Sequence, residues 1–305
     1  MGARASRDGR MKARVAVLRG DGIGPEVIGP ALETLPEEIE TVEVEAGAER
    51  WLATGEVLTD DDLVTARNCD ALLLGAVGDP RVPDGILERG ILLRLRKELD
   101  LYVNLRPLPE LDLVIVRENT EGLYSGVGDR DGNVATEISV NTAPAIERCV
   151  RYSFELAERR SGRLTLVHKT NVLTHAGPLW RETVEEVAHD HPDVTVAYEH
   201  VDAAAYHLVT DHKRFDVIVT DNMFGDILSD LAAGLAGGLG RAASANVHPN
   251  PDTRPSRCLG LFEPVHGSAP DIAGRGLADP TGAIRAAQRM IETIETTHNQ
   301  ETARA

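Results

Sequence analysis

Short runs of Val, Ile and Leu recur along this 305-residue chain, and stretches with helical spacing separate them. Residues 14–18, 71–74, 113–116, 164–167, 194–197 and 216–219 read as buried strands. Helical patterning falls over 25–35, 60–67, 87–98, 143–160, 178–189, 225–239 and 281–297. Strands that alternate with helices predict an α/β protein with a largely parallel sheet. The length leaves room for two domains or one large unit. The longest apolar runs, such as 71–74 and 217–219, are too short to cross a bilayer.

The segments just beyond the strands carry most of the chemistry. The six runs lead into GDGIG, GAVGDP, RENTEGLY, HKTN, a turn over 199–202, and TDNMFGD. Open α/β sheets bind ligands beyond the carboxyl ends of their strands. Nearly every such end here carries glycine, acids, amides or cations.

The first of these, with Gly20, Gly22 and Gly24, invites a dinucleotide-fold reading, but the third glycine would fall at Pro25. No Gly-Lys-Ser/Thr comes after it, so a P-loop is excluded too. The motif reads as a tight turn with Pro at the first helical position, or as a ligand loop. In TDNMFGDILSD, Asp226 and Asp230 stand four apart and share one helical face. Like charges there repel unless a cation sits between them, and all-oxygen ligation suits Mg²⁺ or Mn²⁺. Asp202 is a third candidate carboxylate. Arg96, Arg106 and Arg117 are candidates for bidentate carboxylate recognition; Arg117 directly follows a buried strand and needs an anion nearby. Lys169 stands just after the buried run LTLVH, and a Lys can serve as a base where an Arg cannot. Tyr124 reads either as a proton donor or as a half-buried aromatic. His168, His175 and His266 show no ligand spacing and no hydrolase triad. This inventory suits a small di- or tricarboxylate whose chemistry places negative charge on oxygen. It does not separate a dehydrogenase from an aldolase or a lyase.

Composition narrows the partners. A net charge of −17 argues against nucleic acid and anionic membranes. Four of the 32 basic residues are Lys, which makes Lys169 stand out. Three cysteines without a C-x-x-C predict reduced thiols in the cytoplasm. The N-terminus MGARASRDGRMK is basic with no apolar stretch after it, and reads as a short disordered tail.

GDGIGPE, LRKELDLYVNLRP, VRENTEGLY, HKTNVL, NMFGDILSDLAAGLAGGLG and LFEPVHGSAPDIAGRGLADPTGA closely resemble the β-decarboxylating dehydrogenases. This is the family of isopropylmalate, isocitrate, homoisocitrate and tartrate dehydrogenases, and the match runs from about residue 15 to residue 290. GDPRVPDGILERGILLRLRK, VATEISVNTA and LTLVHKTNVLTHAGPLW look most like the isopropylmalate-oxidising members of high-GC bacteria. The resemblance implies a mostly parallel sheet flanked by helices, with two subdomains and the active-site cleft between them. Residues 1–101 and 240–305 would bind the cofactor; 102–239 would carry substrate, metal and dimer contacts.

It also implies oxidation and decarboxylation of a 3-substituted malate, 3-isopropylmalate foremost, in leucine biosynthesis. Arg96, Arg106 and Arg117 would grip the malate carboxylates. Asp226 and Asp230 would hold Mg²⁺ or Mn²⁺, with Asp202 supplied by the second subunit of a homodimer. Lys169, also from the partner subunit, would take the proton of the C2 hydroxyl, and Tyr124 would protonate the enol once CO₂ has left. Asp271 stands where NAD-dependent members bind the adenosine ribose, so NAD is implied over NADP. Asn171 would meet the nicotinamide end, and His266, Gly267, Ser268 and Ala269 the adenine side. Asp279 stands where many relatives have Asn. Leu92, with Gly90 and Leu93, offers an apolar surface suited to an isopropyl group. Arg94 keeps homoisocitrate open, and D-malate, tartrate or a specialised alkylmalate are further alternatives. A catalytically silent regulatory subunit is the non-enzyme reading; such subunits usually lose part of the metal, Lys and Tyr set, which this chain keeps. The stretch 107–113 is shorter than the usual family loop, and a single helix follows DPTGA; both predict reduced stability.

Overall fold

The computed structural model describes residues 12–304. The N-terminal tail expected from the sequence lies mostly outside the described residues. The chain divides into two compact units. The first gathers the chain up to Leu101 together with Leu239 onward, and the second holds Tyr102–Gly238.

In the first unit, β1 (Ala13–Gly20) leads through a turn into α1 (Gly24–Leu32), followed by β2 (Ile39–Glu43), α2 (Ala48–Thr54), α3 (Asp60–Asn68) and β3 (Ala71–Ala76). Thr59 and Asp62 close a reciprocal capping box that starts α3. A π-helical turn over Glu88–Leu93 runs straight into α4 (Arg94–Glu98).

The second unit opens with a hairpin of β4 (Val103–Leu108) and β5 (Leu113–Glu118). Leu108 pairs with Leu113, so the shortened stretch is a tight turn over 109–112 with Asp112 in the left-handed region. Next come a small exposed ribbon of β6 (Gly128–Asp131) and β7 (Val134–Glu137), then α5 (Ala143–Glu158), β8 (Arg163–His168) and α6 (Ala176–Ala188). They are followed by β9 (Thr195–His200), α7 (Val201–Asp211), β10 (Val217–Thr220) and α8 (Asn222–Leu235). The chain then returns to the first unit with β11 (Ala243–Val247), β12 (Gly260–Pro264) and α9 (Thr281–Arg304).

Each unit holds five strands of a mostly parallel sheet. In the first unit the order is β2-β1-β3-β12-β11, with only the β11–β12 pair antiparallel. In the second it is β4-β5-β10-β8-β9, with only β4–β5 antiparallel. Central strands covered on both faces need continuous apolar runs, and β3 and β10 are buried along their whole lengths. The edge strand β2 is mostly exposed instead, with Ile39 its one buried residue. In the first unit Ala16, Leu18, Leu72 and Leu74 join Leu63, Ile91 and Leu95 in one core.

The six predicted strands are all present, within one to three residues. The 199–202 turn needs correction: the strand runs to His200, and Asp202 sits in the first turn of α7. The helix read over 225–239 begins at Asn222, because Asp221 caps it by accepting from the Phe224 N–H at 2.8 Å, and it ends at Leu235. No helix among the described residues is long and apolar enough to cross a membrane. Cys69, Cys149 and Cys258 are free and buried.

Candidate functional site

In the second unit, β4 and β5 pair so that Asn104 stands opposite Arg117 and Arg106 opposite Ile115. Residues paired or two apart share a face, so both arginines project together. Arg106 donates from Nε to Asn104 Oδ1 at 2.7 Å, and Arg117 from Nε to Asn222 Oδ1 at 2.9 Å. The Arg117 guanidinium, 1% exposed, also bonds the Asp226 carboxylate. Arg106 approaches Asp226 at 3.8 Å and Asp230 at 3.6 Å. Tyr124 donates its hydroxyl proton to Asp226 Oδ2 at 2.8 Å and lies under the Arg117 guanidinium, 5.0 Å from its ring centroid. Burial and the neighbouring Asp226 charge raise the Asp230 carboxyl, and Arg106 opposes them. Helix α8 can lie this close because residue 225 is glycine; a Cβ there would fall 2.7 Å from Arg117 Cβ.

Glu118, next to Arg117, was not singled out from sequence. It is buried, and its two oxygens accept from the N–H groups of Thr120 and Glu121 and from the Thr120 hydroxyl. Burial raises its carboxyl. These bonds bend the chain at the end of β5 toward Tyr124. Asn222 adds a second hold, donating to the Glu121 carbonyl at 3.0 Å.

Lys169 and Asp202 form a separate pair, Nζ to Oδ1 at 2.6 Å, which lowers the Asp202 carboxyl. Among the described residues no three His, Cys, Asp or Glu side chains gather as a metal-binding group. Asp226 and Asp230 stand with the arginines, while Asp202 stands with Lys169. Asn171, two residues past Lys169, is exposed.

Beside Lys169, His168 ends β8 and faces Asp221 beyond β10, with Nε2 3.6 Å from Oδ2. The ring is fully buried, 5.8 Å from Trp180 and 5.6 Å from Phe224 between centroids, and neither nitrogen has a hydrogen-bond partner. Burial lowers His168 from its ordinary 6.5 to about 4 and pushes Asp221 up to about 6. The two groups act oppositely on stability. As pH falls from 6.5 toward 4 the unfolded chain takes up the His168 proton first, so stability is lost. As pH falls through about 6 the folded chain takes up the Asp221 proton first, so stability is gained. His168→Phe removes only the first effect. Relative to wild type, it is expected to gain about 2 kcal/mol on going from pH 7.5 to pH 5 in urea unfolding. An unchanged pH difference would show that the imidazole is not held neutral.

In the first unit the carboxyl ends of β1, β3 and β12 come together. Ile23 N–H donates to the Ser268 carbonyl and Asp21 N–H to the Ala76 carbonyl, both at 2.9 Å. The buried Asp21 carboxylate accepts from Ala48 N–H at 2.7 Å and Gly78 N–H at 3.0 Å. Glu26 accepts from Gly274 N–H. Gly22, at φ +56°, lies so close that a Cβ would sit 2.0 Å from the Ser268 oxygen. The glycine-rich turn therefore clasps the segment 266–274, which sequence alone left open. Within that segment Ala269 takes a positive φ of 40°. His266 Nε2 is buried with no hydrogen-bond partner, and Asp271 is exposed. Asp279 Oδ1 accepts from Thr281 N–H at 2.9 Å and its hydroxyl at 2.6 Å, so that oxygen starts α9.

Arg96, 3% exposed, lies 3.3 Å from Glu263, which also accepts from Asn246 at 2.9 Å. Leu92 packs partly against the unit's core. Arg94 donates to the Leu58 carbonyl at 2.7 Å and pairs with Asp60 at 2.5 Å.

Residues 14–304 match the family model described as isocitrate/isopropylmalate dehydrogenase. A 3-isopropylmalate dehydrogenase of Nocardia farcinica is 54% identical over 302 residues, covering 92% of this chain and 89% of that protein. One of Mycobacterium ulcerans is 53% identical, covering 91% and 88%. The crystal structure of isocitrate dehydrogenase from Methylococcus capsulatus superposes with a TM-score of 0.84 at 38% identity, covering 92% of this chain and 86% of that one.

Proposed function

The chain belongs to the isocitrate/isopropylmalate dehydrogenase family, and from that premise we propose that it is an NAD-dependent enzyme that oxidises and decarboxylates a 3-substituted malate, 3-isopropylmalate foremost, in leucine biosynthesis. The observation that carries this reading is the cluster of Arg106, Arg117, Tyr124, Asp226 and Asp230 on β4, β5 and α8. Two buried arginines there face two acids one helical turn apart, with a phenol bonded to one of them.

Arg96, Arg106 and Arg117 bind the malate carboxylates, a task for which a planar guanidinium is suited. The donor set fits a hard divalent cation: all its ligands are carboxylate oxygens, and the raised Asp230 carboxyl marks a place where added positive charge is welcome. Asp226 and Asp230 would hold Mg²⁺ or Mn²⁺, with Asp202 from the second subunit of a homodimer. The segment 266–271 fits a dinucleotide: the His266 Nε2 lacks a partner and the exposed Asp271 can accept from ribose hydroxyls. Asn171 serves the nicotinamide end. When bound, NAD supplies the hydride acceptor, and the cation neutralises charge on the hydroxyl and carboxylate oxygens.

Lys169 of the partner subunit takes the proton of the C2 hydroxyl. Tyr124 returns a proton to the carbon that has lost CO₂, and Asp226, which accepts from its hydroxyl, orients it. Leu92 meets the C3 substituent. The engagement of Arg94 by Leu58 and Asp60 speaks against homoisocitrate, whose distal carboxylate would need that cation.

Steady-state reduction of NAD, and of NADP, with isopropylmalate, isocitrate, homoisocitrate, D-malate and tartrate tests the reading. kcat/KM is expected to be highest for isopropylmalate with NAD, by about tenfold or more over any other acid. A preference for isocitrate or homoisocitrate, or no turnover with any of the five, would overturn it.

A further inference from the structure

Lys169 and Asp202 follow two neighbouring strands. β8 and β9 run parallel and in register up to the pair His168–His200, where both end. Beyond that pair the ladder places nothing, yet Lys169 Nζ meets Asp202 Oδ1 at 2.6 Å. Side chains must therefore set the two chain exits against each other.

One phenol spans them. Tyr198 stands on β9 beside Leu166 and shares a face with His200. Its hydroxyl accepts from the Thr170 N–H at 3.1 Å and faces the His168 carbonyl at 3.2 Å as a donor. The same oxygen lies 2.9 Å from Thr170 Oγ1 and 2.7 Å from His200 Nδ1. One atom thus holds the residues on both sides of Lys169, together with His200, the residue from which α7 and its Asp202 depart. A phenol has one proton and two lone pairs, so three of the four contacts are filled at once. Whichever three these are, at least two reach the residues that flank Lys169.

The ring is held as well. The Arg181 guanidinium lies 5.1 Å from its centroid, and the His200 ring meets it edge-on at 5.2 Å. β9 is an edge strand whose first three positions are exposed, so filling a core does not by itself call for a phenol there.

We infer that Tyr198 is a positioning residue for Lys169, acting through the main chain on either side of it. The inference rests on the proposed function, in which Lys169 takes the proton of the C2 hydroxyl. A flexible stem carries that amine, so its reach depends on where residues 168–170 lie. Misplacing a reacting group by about 1 Å can cost on the order of 10²-fold in rate.

Tyr198→Phe removes the oxygen and keeps the ring. With wild-type circular dichroism, it is expected to lower kcat about tenfold while KM for isopropylmalate and for NAD stays within about threefold. Lys169→Met is measured first, and wild-type kcat in that variant would sink the functional reading whatever Tyr198 does. Given its loss of activity, Tyr198→Phe is then combined with Lys169→Met. A residue that acts through the lysine amine has nothing left to position, so the residual kcat should change by less than about twofold. An equal tenfold loss in both backgrounds would show a general effect on the site and overturn the inference. So would an unchanged kcat, or a loss carried by KM, in the single variant. If Tyr198→Phe does not fold, Tyr198→Leu removes the same hydroxyl and is judged by the same cycle. Failure of both to fold would make the phenol a requirement of the fold and would also overturn the inference.

Discussion

Lys169→Met is expected to lower kcat by about 10²-fold or more while leaving NAD binding within a few-fold of wild type, because general-base loss typically costs on that order. The methionine keeps most of the aliphatic stem and removes only the amine. That amine is set just past β8, where the chain leaves a strand buried from Leu164 to His168, and its partner is the Asp202 carboxylate at 2.6 Å. Losing it also strips Asp202 of the cation that lowers its carboxyl. No residue of the dinucleotide segment 266–271 is altered, so NAD titration by fluorescence or calorimetry serves as the control. Retention of a tenth of the wild-type kcat would exclude the role of base. A parallel loss of NAD affinity would instead point to a cofactor contact.

Much of this site was legible because its residues follow strands. Arg117, Lys169 and Asp226 each come within a few residues of a run too apolar to be anything but buried, and a charge placed there needs a partner. The three other kinds of feature were hidden for physical reasons. Asp202 was misplaced because His200 and Val201 give no sign of where β9 ends and α7 begins; the helix starts without a side-chain cap. Glu118 and Asp21 act by accepting backbone N–H groups, and any acid in a polar loop looks alike until the fold brings the amides to it. β11 and β12 went unread because ASANV and GLFEP mix small and polar residues, although all ten positions are buried. The π turn was visible in principle, since Leu87, Ile91, Leu95 and Leu99 keep a period of four, but a leucine-rich segment invites the commoner period of 3.6. The apolar length of α8 points to burial against a second copy across a two-fold axis, and the single chain leaves Ile227 56% and Leu235 42% exposed.

Those exposed side chains lead to the largest expected gain of activity, from two inactive proteins. Lys169→Met and Tyr124→Phe, each nearly silent alone, are expected to recover about a quarter of wild-type activity when mixed in equal amounts and allowed to exchange subunits. In one chain Tyr124 stands with Asp226 and Arg117, and Lys169 stands with Asp202. The pairs remain apart to the extent that Asp202 joins no three-acid group with Asp226 and Asp230. In the proposed arrangement the site is completed by Lys169 and Asp202 of a second copy. The apolar face that could bring one is present: Ile227 and Leu235 on α8, with Tyr206 64% and Val209 58% exposed on the adjoining α7. Such a patch, unfavourable in water, is satisfied when it meets its own copy across a two-fold axis. In a mixed dimer one site receives the intact Tyr124 of one chain and the intact Lys169 of the other, while the second site carries both lesions. Half the dimers in an equal mixture are mixed, each with one working site of two, which gives the quarter. If Tyr124 and Lys169 instead served the same site from one chain, every site would keep a lesion and mixing would restore nothing. Mass spectrometry that shows mixed dimers without recovered activity would therefore sink the shared-site arrangement.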